Sequence, residues 1–324
     1  MKKKIIITGS AGFIGFHTCL EYLNKGFIVL GIDNLNKYYD VRIKLERNKI
    51  LKAYKNFYFK KIDLANFNTK KNILKKFNPS IVIHLAAQAG VRYSLEAPEE
   101  YVKSNIIATF NLLETFKSEK LKHFMVASTS SVYGLNKKFP FKESTNTDTP
   151  ISIYAATKKS VENLCHAYSY NFKMPITALR FFTVYGPWGR PDMALFKFVK
   201  NTINRKPIDV YNFGKMKRDF TYVKDVSRSL FLLFKKPPRK KDNYYRVLNI
   251  GNQNIVLLTK FISVIEKVLG LKTKRKYMKM QQGDVKQTLS NTDKLKRLVK
   301  FQPKTHIEVG IKNFINWYKE YFKI

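Results

Sequence analysis

The sequence predicts a doubly wound α/β fold, a parallel sheet covered by helices on both faces, with a second, smaller α/β domain interleaved with it. Three observations carry this expectation. Short β-branched runs alternate with amphipathic helical stretches through the first half of the chain, and the first run enters the first helix through a cluster of glycines. After Arg180 the alternation gives way to a stretch rich in glycine and proline around Tyr185 to Pro191. At 324 residues, 44 % hydrophobic and 14 % aromatic, the chain can bury a large core and does not read as disordered.

Taken in order, the first strand is expected at 4–8. Met1 to Lys4 make a basic opening such as a secretion signal has, but Thr8 and Gly9 end the apolar run too early, so it reads as a strand. Further strands are expected at 28–33, 58–63, 81–86, 124–128 and 176–180, each a short apolar run suited to burial on both faces. Helices are expected between them at 13–25, 40–53, 99–117 and 154–172. Beyond them the pattern gives a helix near 195–204 and a strand near 246–250. The expected division is a nucleotide-binding domain over 1–180, with about 215–250 returning to it, and a substrate domain from 181–214 and 251–324.

The formal charge of +38 brings nucleic acid and anionic membrane to mind. Its distribution points elsewhere. Lys60 and Lys61, Lys75 and Lys76, and Lys137 and Lys138 are spread along the chain without a basic arm, as a lysine-biased proteome produces. No specific nucleic-acid partner is expected. A positive field still draws in a phosphate-bearing substrate, an effect that salt weakens. No apolar run approaches the roughly 20 residues that span a bilayer, so no membrane partner is expected either. Cys19 and Cys165 offer neither a disulfide framework nor a metal set, which fits a reducing cytoplasm.

The segment IIITGSAGFIG, Ile5 to Gly15, is a dinucleotide-binding signature. Gly9 permits the tight turn, Gly12 lets the backbone approach a pyrophosphate at the positive helix end, and Gly15 lets helix and strand pack closely. Asp33 ends the second strand about 20 positions on, where a carboxylate accepts from the adenosine ribose hydroxyls. Because it repels a 2′-phosphate, NAD is expected over NADP. Glycines alone could mark a turn without a ligand; glycines, strand and acid together point to the cofactor.

Tyr154 and Lys158 stand four residues apart, on one face of a helix. A Tyr titrates near ~10, and a neighbouring ammonium favours the phenolate, so the pair can take a proton from a substrate alcohol. Lys158 can also hold the nicotinamide ribose. Such pairs are often helix decoration, but Ser128, Thr129 and Ser130 end a buried strand where a parallel sheet forms its ligand crevice. Their hydroxyls can bind a reacting alcohol or carbonyl, or simply cap the strand.

These stretches together resemble the extended short-chain dehydrogenases/reductases, and within them the UDP-glucuronate 4-epimerases over nearly the full length. The matching segments are TGSAGFIG from Thr8, DNLNKYYD from Asp33, HLAAQAGVRYSLEAPEEYVKSN from His84, STSSVYG from Ser128, YAATK from Tyr154, LRFFTVYGPWGRPDMALFKF from Leu179 and GKMKRDFTYVKD from Gly214. The glycine motif and YxxxK identify only the superfamily, whereas GVRYSLE, PWGRPDMALF and GKMKRDF are more specific. One departure is Gln282, where a QPGDV-like segment is expected to carry proline on the uridine side.

The resemblance implies a tightly bound, recycled NAD, contacted also by Phe13, Ile14, Asn34, Asp63, Leu64, Leu85, Ala86, Ala87, Gln88 and Asn105. It implies that Tyr154 deprotonates the sugar 4-hydroxyl, that Thr129 binds the 4-oxygen, and that Ser130 and Thr183 line the substrate pocket. Arg190 and Arg92 would meet the sugar carboxylate, Arg218 the diphosphate, and Asp284 would also touch the substrate. A homodimer through 99–117 and 154–172 is implied, and no metal. Related dehydratases carry an Asp-Glu pair after the position of Thr129, and decarboxylases a Glu; this chain has Ser130 and Ser131. Epimerisation of a UDP-uronic acid is therefore the leading expectation. The rivals are a neutral UDP-sugar epimerase, a UDP-glucuronate decarboxylase, and a non-catalytic NAD- or polyanion-binding protein.

Overall fold

The computed structural model describes residues 3–66 and 71–324. Met1 and Lys2 of the basic opening lie outside these residues. The first half forms β1 (Lys4–Thr8), β2 (Ile28–Asp33), β3 (Phe57–Lys61), β4 (Ile81–His84), β5 (His123–Thr129) and β6 (Ile176–Phe181). The rest adds β7 (Thr183–Tyr185), β8 (Pro207–Tyr211), β9 (Lys217–Tyr222), β10 (Tyr245–Ile250), β11 (Ile255–Leu257) and β12 (Lys274–Met278). Helices α1 (Phe13–Asn24), α2 (Val41–Lys52), α3 (Lys71–Phe77), α4 (Tyr93–Glu96), α5 (Pro98–Tyr101), α6 (Ala108–Phe116) and α7 (Ile153–Phe172) accompany the first strands. Then follow α8 (Ala194–Ile203), α9 (Val223–Leu233), α10 (Leu258–Leu269), α11 (Asp293–Val299) and α12 (Ile307–Phe322).

Seven parallel strands form the main sheet in the order β10-β6-β5-β4-β1-β2-β3. The doubly wound fold is present as expected. Strand order reverses at β1, whose neighbours are β2 on one side and β4 on the other, and a crevice opens beyond the carboxyl ends at such a point. β1, β4, β5 and β6 are built almost wholly of buried residues, as central strands covered on both faces must be. One face packs Phe13, Phe16 and Tyr22 of α1 against the sheet, and the other packs Leu112, Leu113 and Phe116 of α6 with Val161 and Cys165 of α7.

A three-stranded sheet, β11-β9-β7, and a two-stranded one, β12-β8, form the second unit with α8, α10 and α12 around Phe261, Ile265, Ile311 and Phe314. Helix α12 buries Ile307, Ile311, Phe314, Ile315 and Tyr318, the one-sided spacing of an amphipathic helix. Within 215–250, β9 belongs to the smaller sheet. Only from α9 onward does the chain rejoin the larger unit: the Tyr22 hydroxyl donates to the Leu230 carbonyl at 3.0 Å, and β10 pairs with β6. Residues 217–222 thus pair within the smaller sheet, while Val223 and the rest of α9 pack against the larger one.

Two local departures have physical reasons. The strand expected at 58–63 runs Phe57–Lys61, because Ile62 and Asp63 leave the sheet to enter the crevice. The single helix expected over 99–117 is α5, then a π-helical turn at Val102–Ile107, then α6. The widened turn carries Asn105 inward, where its amide bonds the backbone of Gln88 on both sides.

Candidate active site

The crevice at the carboxyl ends of the parallel strands encloses about 1730 Å³ of solvent-connected space. It is lined by residues from the turn after β1, the ends of β2 and β4, the end of β5, the start of α7 and the segment after β7. Gly9, Gly12, Phe13, Ile14, Gly15, Asp33, Asn34, Asp63, Leu64, Leu85, Ala86, Ala87 and Gln88 all line it. Thr129, Ser130, Tyr154, Lys158, Thr183 and Arg190 also line it. Asn105, Arg92, Arg218 and Asp284 do not.

The β1-to-α1 turn has the form an anion needs. Gly9 has φ +66°, and a Cβ there would come within 2.7 Å of the Ala86 backbone nitrogen, so only glycine lets the two strand ends approach. Gly12 caps α1 with no side-chain hydrogen bond, which leaves the first N–H groups of the helix turned toward the crevice. Asp33 is held open for a ligand: one carboxylate oxygen accepts from Ala11 N at 3.1 Å and the other from Leu35 N at 2.8 Å, leaving lone pairs free. Burial raises its pKa, opposed by the Lys44 charge and by those backbone donors. The side-chain nitrogen of Gln88, itself 3 % exposed, has no hydrogen-bond partner among the described residues. Glycine cradle, uncapped helix end, buried acid and unpaired donor together fit a dinucleotide.

At the other end of the crevice, Tyr154 and Lys158 project from the first turns of α7, whose start Ser152 caps by accepting from Ala155 N at 3.1 Å. Burial raises the Tyr154 pKa, while the neighbouring Thr129 hydroxyl and the Arg190 charge pull it down. Lys158, expected from its spacing to favour the phenolate, turns toward the end of β5 in the structure. Its ammonium donates to the Ala127 carbonyl at 3.0 Å, and burial lowers its pKa to about 8. Thr129 accepts from Ser131 N at 3.2 Å, so the tight turn after β5 presents hydroxyls only at 130 and 131. Behind it lies a buried ion pair, with Glu162 of α7 bonding Arg180 at 2.7 and 2.8 Å and Ser128 at 2.5 Å. This ties the end of β5 to the helix that carries Tyr154.

Arg190 is in the crevice but engaged. Its Nε and Nη2 donate to the two carboxylate oxygens of Asp192 at 3.0 and 2.6 Å, and Nη2 also reaches the Ala89 carbonyl at 3.2 Å. The Tyr38 hydroxyl donates to the same carboxylate at 3.3 Å. Arg92, Arg218 and Asp284 gather outside the crevice lining. Arg92 pairs with Asp284 at 3.4 Å and stacks on Tyr211 at 4.5 Å, while Arg218 donates to the Lys217 and Lys286 carbonyls at 3.0 and 3.3 Å. Burial lowers the Arg218 pKa, with Asp284 opposing and Arg92 adding to the effect. The next loop brings Gly283 against Val91, at the edge of the crevice. Asn105 is buried beneath it, and its amide bonds Gln88 and the Thr157 hydroxyl.

Sequence reasoning passed over Asn36, Tyr38, Lys44, Phe182, Asp192 and Met193, all of which line the crevice. Tyr38 and Asp192 lie inside the DNLNKYYD and RPDMALF segments, so the signal was present; what it lacked was the pairing that gives them a role. Among the described residues no cluster could hold a metal ion, and no helix is long and apolar enough to cross a membrane.

Comparison with known proteins places these features in context. Residues 6–314 match the family described as GDP-mannose 4,6 dehydratase. A UDP-glucuronate 4-epimerase of Thermodesulfobacterium geofontis is 43 % identical over 316 residues, covering 97 % of this chain and 96 % of that protein. Protein CapI of Staphylococcus aureus is 46 % identical, over 99 % of both chains. The crystal structure of a UDP-glucuronic acid 4-epimerase from Bacillus cereus, in complex with UDP-glucuronic acid and NAD, superposes with a TM-score of 0.92 at 35 % identity, covering 98 % of this chain and 99 % of that one.

Proposed function

The chain belongs to the GDP-mannose 4,6 dehydratase family, and from that premise we propose that it is an NAD-dependent 4-epimerase interconverting UDP-glucuronate and UDP-galacturonate through a 4-keto sugar. Relatives that carry this activity in their names, and a solved relative holding both UDP-glucuronic acid and NAD, support the reading. The observation that carries it is the end of β5: Thr129 and Tyr154 stand together, and the adjoining positions are Ser130 and Ser131, which offer no carboxyl group. A dehydratase moves protons at C5 and C6 and needs acids there; an epimerase does not.

The larger unit is assigned to NAD and the smaller to the UDP-sugar. Phe13, Ile14 and the glycines receive the pyrophosphate on backbone N–H groups, Asp33 and Asn34 the adenosine ribose, and Asp63 with Leu64 the adenine side. The segment 85–88, just after β4, lines the path toward the nicotinamide, with Asn105 acting from beneath through Gln88. Bound there, NAD would supply the hydride acceptor and donor for C4. Tyr154 takes the proton of the 4-hydroxyl and later returns it to the 4-oxygen. Thr129 holds that oxygen, with Ser130 and Thr183 at its flank, and Lys158 turns from Ala127 to the ribose hydroxyls. Arg190 meets the carboxylate. Arg218 and Asp284 are assigned to the UDP side, and Arg92, expected at the sugar carboxylate, is reassigned there because it pairs with Asp284 beside Arg218 and not in the crevice lining.

A homodimer through the 99–117 and 154–172 segments accords with exposed Val102, Ile107 and Phe110 on one and Tyr170 and Phe172 on the other. Free, buried Cys19 and Cys165 accord with a reducing cytoplasm. The experiment is to incubate purified protein with UDP-glucuronate and follow products by proton NMR. UDP-galacturonate is expected, formed at least ~100-fold more slowly by Tyr154→Phe. A UDP-pentose as the lone product, or turnover of UDP-glucose alone, contradicts it.

A further inference from the structure

We propose that Asp192 is a positioning residue that competes with the substrate carboxylate for Arg190, keeping the grip on the sugar loose enough for the ring to turn during catalysis. The inference rests on the function proposed above. Arg190 presents a two-toothed face, Nε and Nη2, and Asp192 occupies it with both oxygens at 3.0 and 2.6 Å. The pair lies in the crevice wall, with side chains 19 % and 27 % exposed. Nη1 makes no hydrogen bond among the described residues, so an incoming carboxylate meets Arg190 end-on or must displace Asp192.

Neither alternative removes Asp192 from the site. It is two residues along the chain from Arg190, and the Tyr38 hydroxyl holds its second oxygen at 3.3 Å. The carboxylate that competes with substrate is therefore tethered beside the guanidinium throughout the cycle.

The chemistry of C4 inversion explains the use of such a competitor. Hydride leaves one face of C4 and must return to the other, while the hydride carrier stays fixed, so contacts to the sugar ring have to break between the two transfers. Contacts to UDP can persist. A partly buried guanidinium with no counter-ion would hold a carboxylate through a bidentate, charge-assisted pair, the strongest contact such a sugar can make, and would pin the ring in one orientation. With Asp192 in place the arginine exchanges one carboxylate for another. In the free state the guanidinium is paired with Asp192; in the bound state it pairs with substrate, and the displaced Asp192 carboxylate, left with the Tyr38 hydroxyl, remains beside it to reclaim the arginine.

The test compares Asp192→Asn with the parent by calorimetric binding of UDP-glucuronate and of UDP-glucose, which lacks the carboxylate, and by epimerisation kinetics. The asparagine keeps the shape but not the charge. We expect UDP-glucuronate to bind several-fold more tightly, UDP-glucose to bind unchanged, and kcat for UDP-glucuronate to fall. Weaker or unchanged UDP-glucuronate binding, an equal change for both ligands, or an unaltered kcat overturns the proposal. A purely structural role would weaken both ligands and lower the melting temperature. If Asp192→Asn does not fold, Tyr38→Phe gives the opposite sign: Asp192 loses a competing donor, clings to Arg190, and UDP-glucuronate binding weakens while UDP-glucose binding does not; absence of that change overturns the proposal. Should the parent fail to turn over UDP-glucuronate at all, the proposed function fails first; an active parent with a discordant Asp192→Asn sinks this inference alone.

Discussion

Burial holds the Tyr154 phenol above its ordinary pKa, with the neighbouring Thr129 hydroxyl and the Arg190 charge opposing it. A base must shed its proton before it can act, so rate should rise with pH through the pKa of this group in the substrate complex. Thr129→Val removes one of the two opposing influences, and the pKa must then rise. The acid limb of the kcat–pH profile is accordingly expected to move to higher pH in Thr129→Val; a limb that stays in place, or moves down, shows that Thr129 does not act on the phenol. Tyr154, Lys158 and Thr129 were legible in the sequence because motif and strand end each place them locally. The electrostatics were not. Whether Lys158 faces Tyr154 or the Ala127 carbonyl depends on side-chain rotation within a folded core, and no spacing encodes it. Asp192 was illegible for the same reason, since its meaning lies in a pairing with Arg190.

At the scale of elements, the alternation of apolar runs and amphipathic helices gave the central strands close to their bounds, because strands buried on both faces leave a continuous apolar signature. Helix α3, KNILKKF, was missed: it buries only Leu74 and so shows no stripe. The π-helical turn at Val102–Ile107 was also invisible, since it is imposed by the bonding of Asn105 to Gln88 rather than by local propensity. The glycine turn, by contrast, has its constraint written in the residue type. A Cβ on Gly15 would collide with the Gly9 carbonyl, which is backbone and cannot yield cheaply. Gly15→Ala is expected to cost at least about 3 kcal/mol in urea unfolding and to strip NAD from the purified protein. A variant with parental stability and full NAD content contradicts the close packing of α1 on the turn.

For the whole molecule, the sheet to which β9 belongs was not legible, because β9 looks like any other strand in sequence and only its pairing with β7 and β11 puts it in the smaller sheet. The charge of +38 is a property of the entire surface, and UDP-glucuronate is an anion. Its capture should depend on ionic strength: kcat/KM is expected to fall as salt rises, with kcat little changed, since screening acts on encounter and not on the bound complex. A salt-independent kcat/KM would mean that the excess of lysines plays no part in catching substrate. The central claim is that the fold carries one hydride off C4 and back to the other face of the same carbon. It is tested most directly with UDP-glucuronate deuterated at C4, turned over in ordinary water and read by NMR and mass spectrometry. UDP-galacturonate retaining the deuterium at C4 is predicted; loss of the label to solvent, or a decarboxylated pentose in place of the epimer, would contradict it.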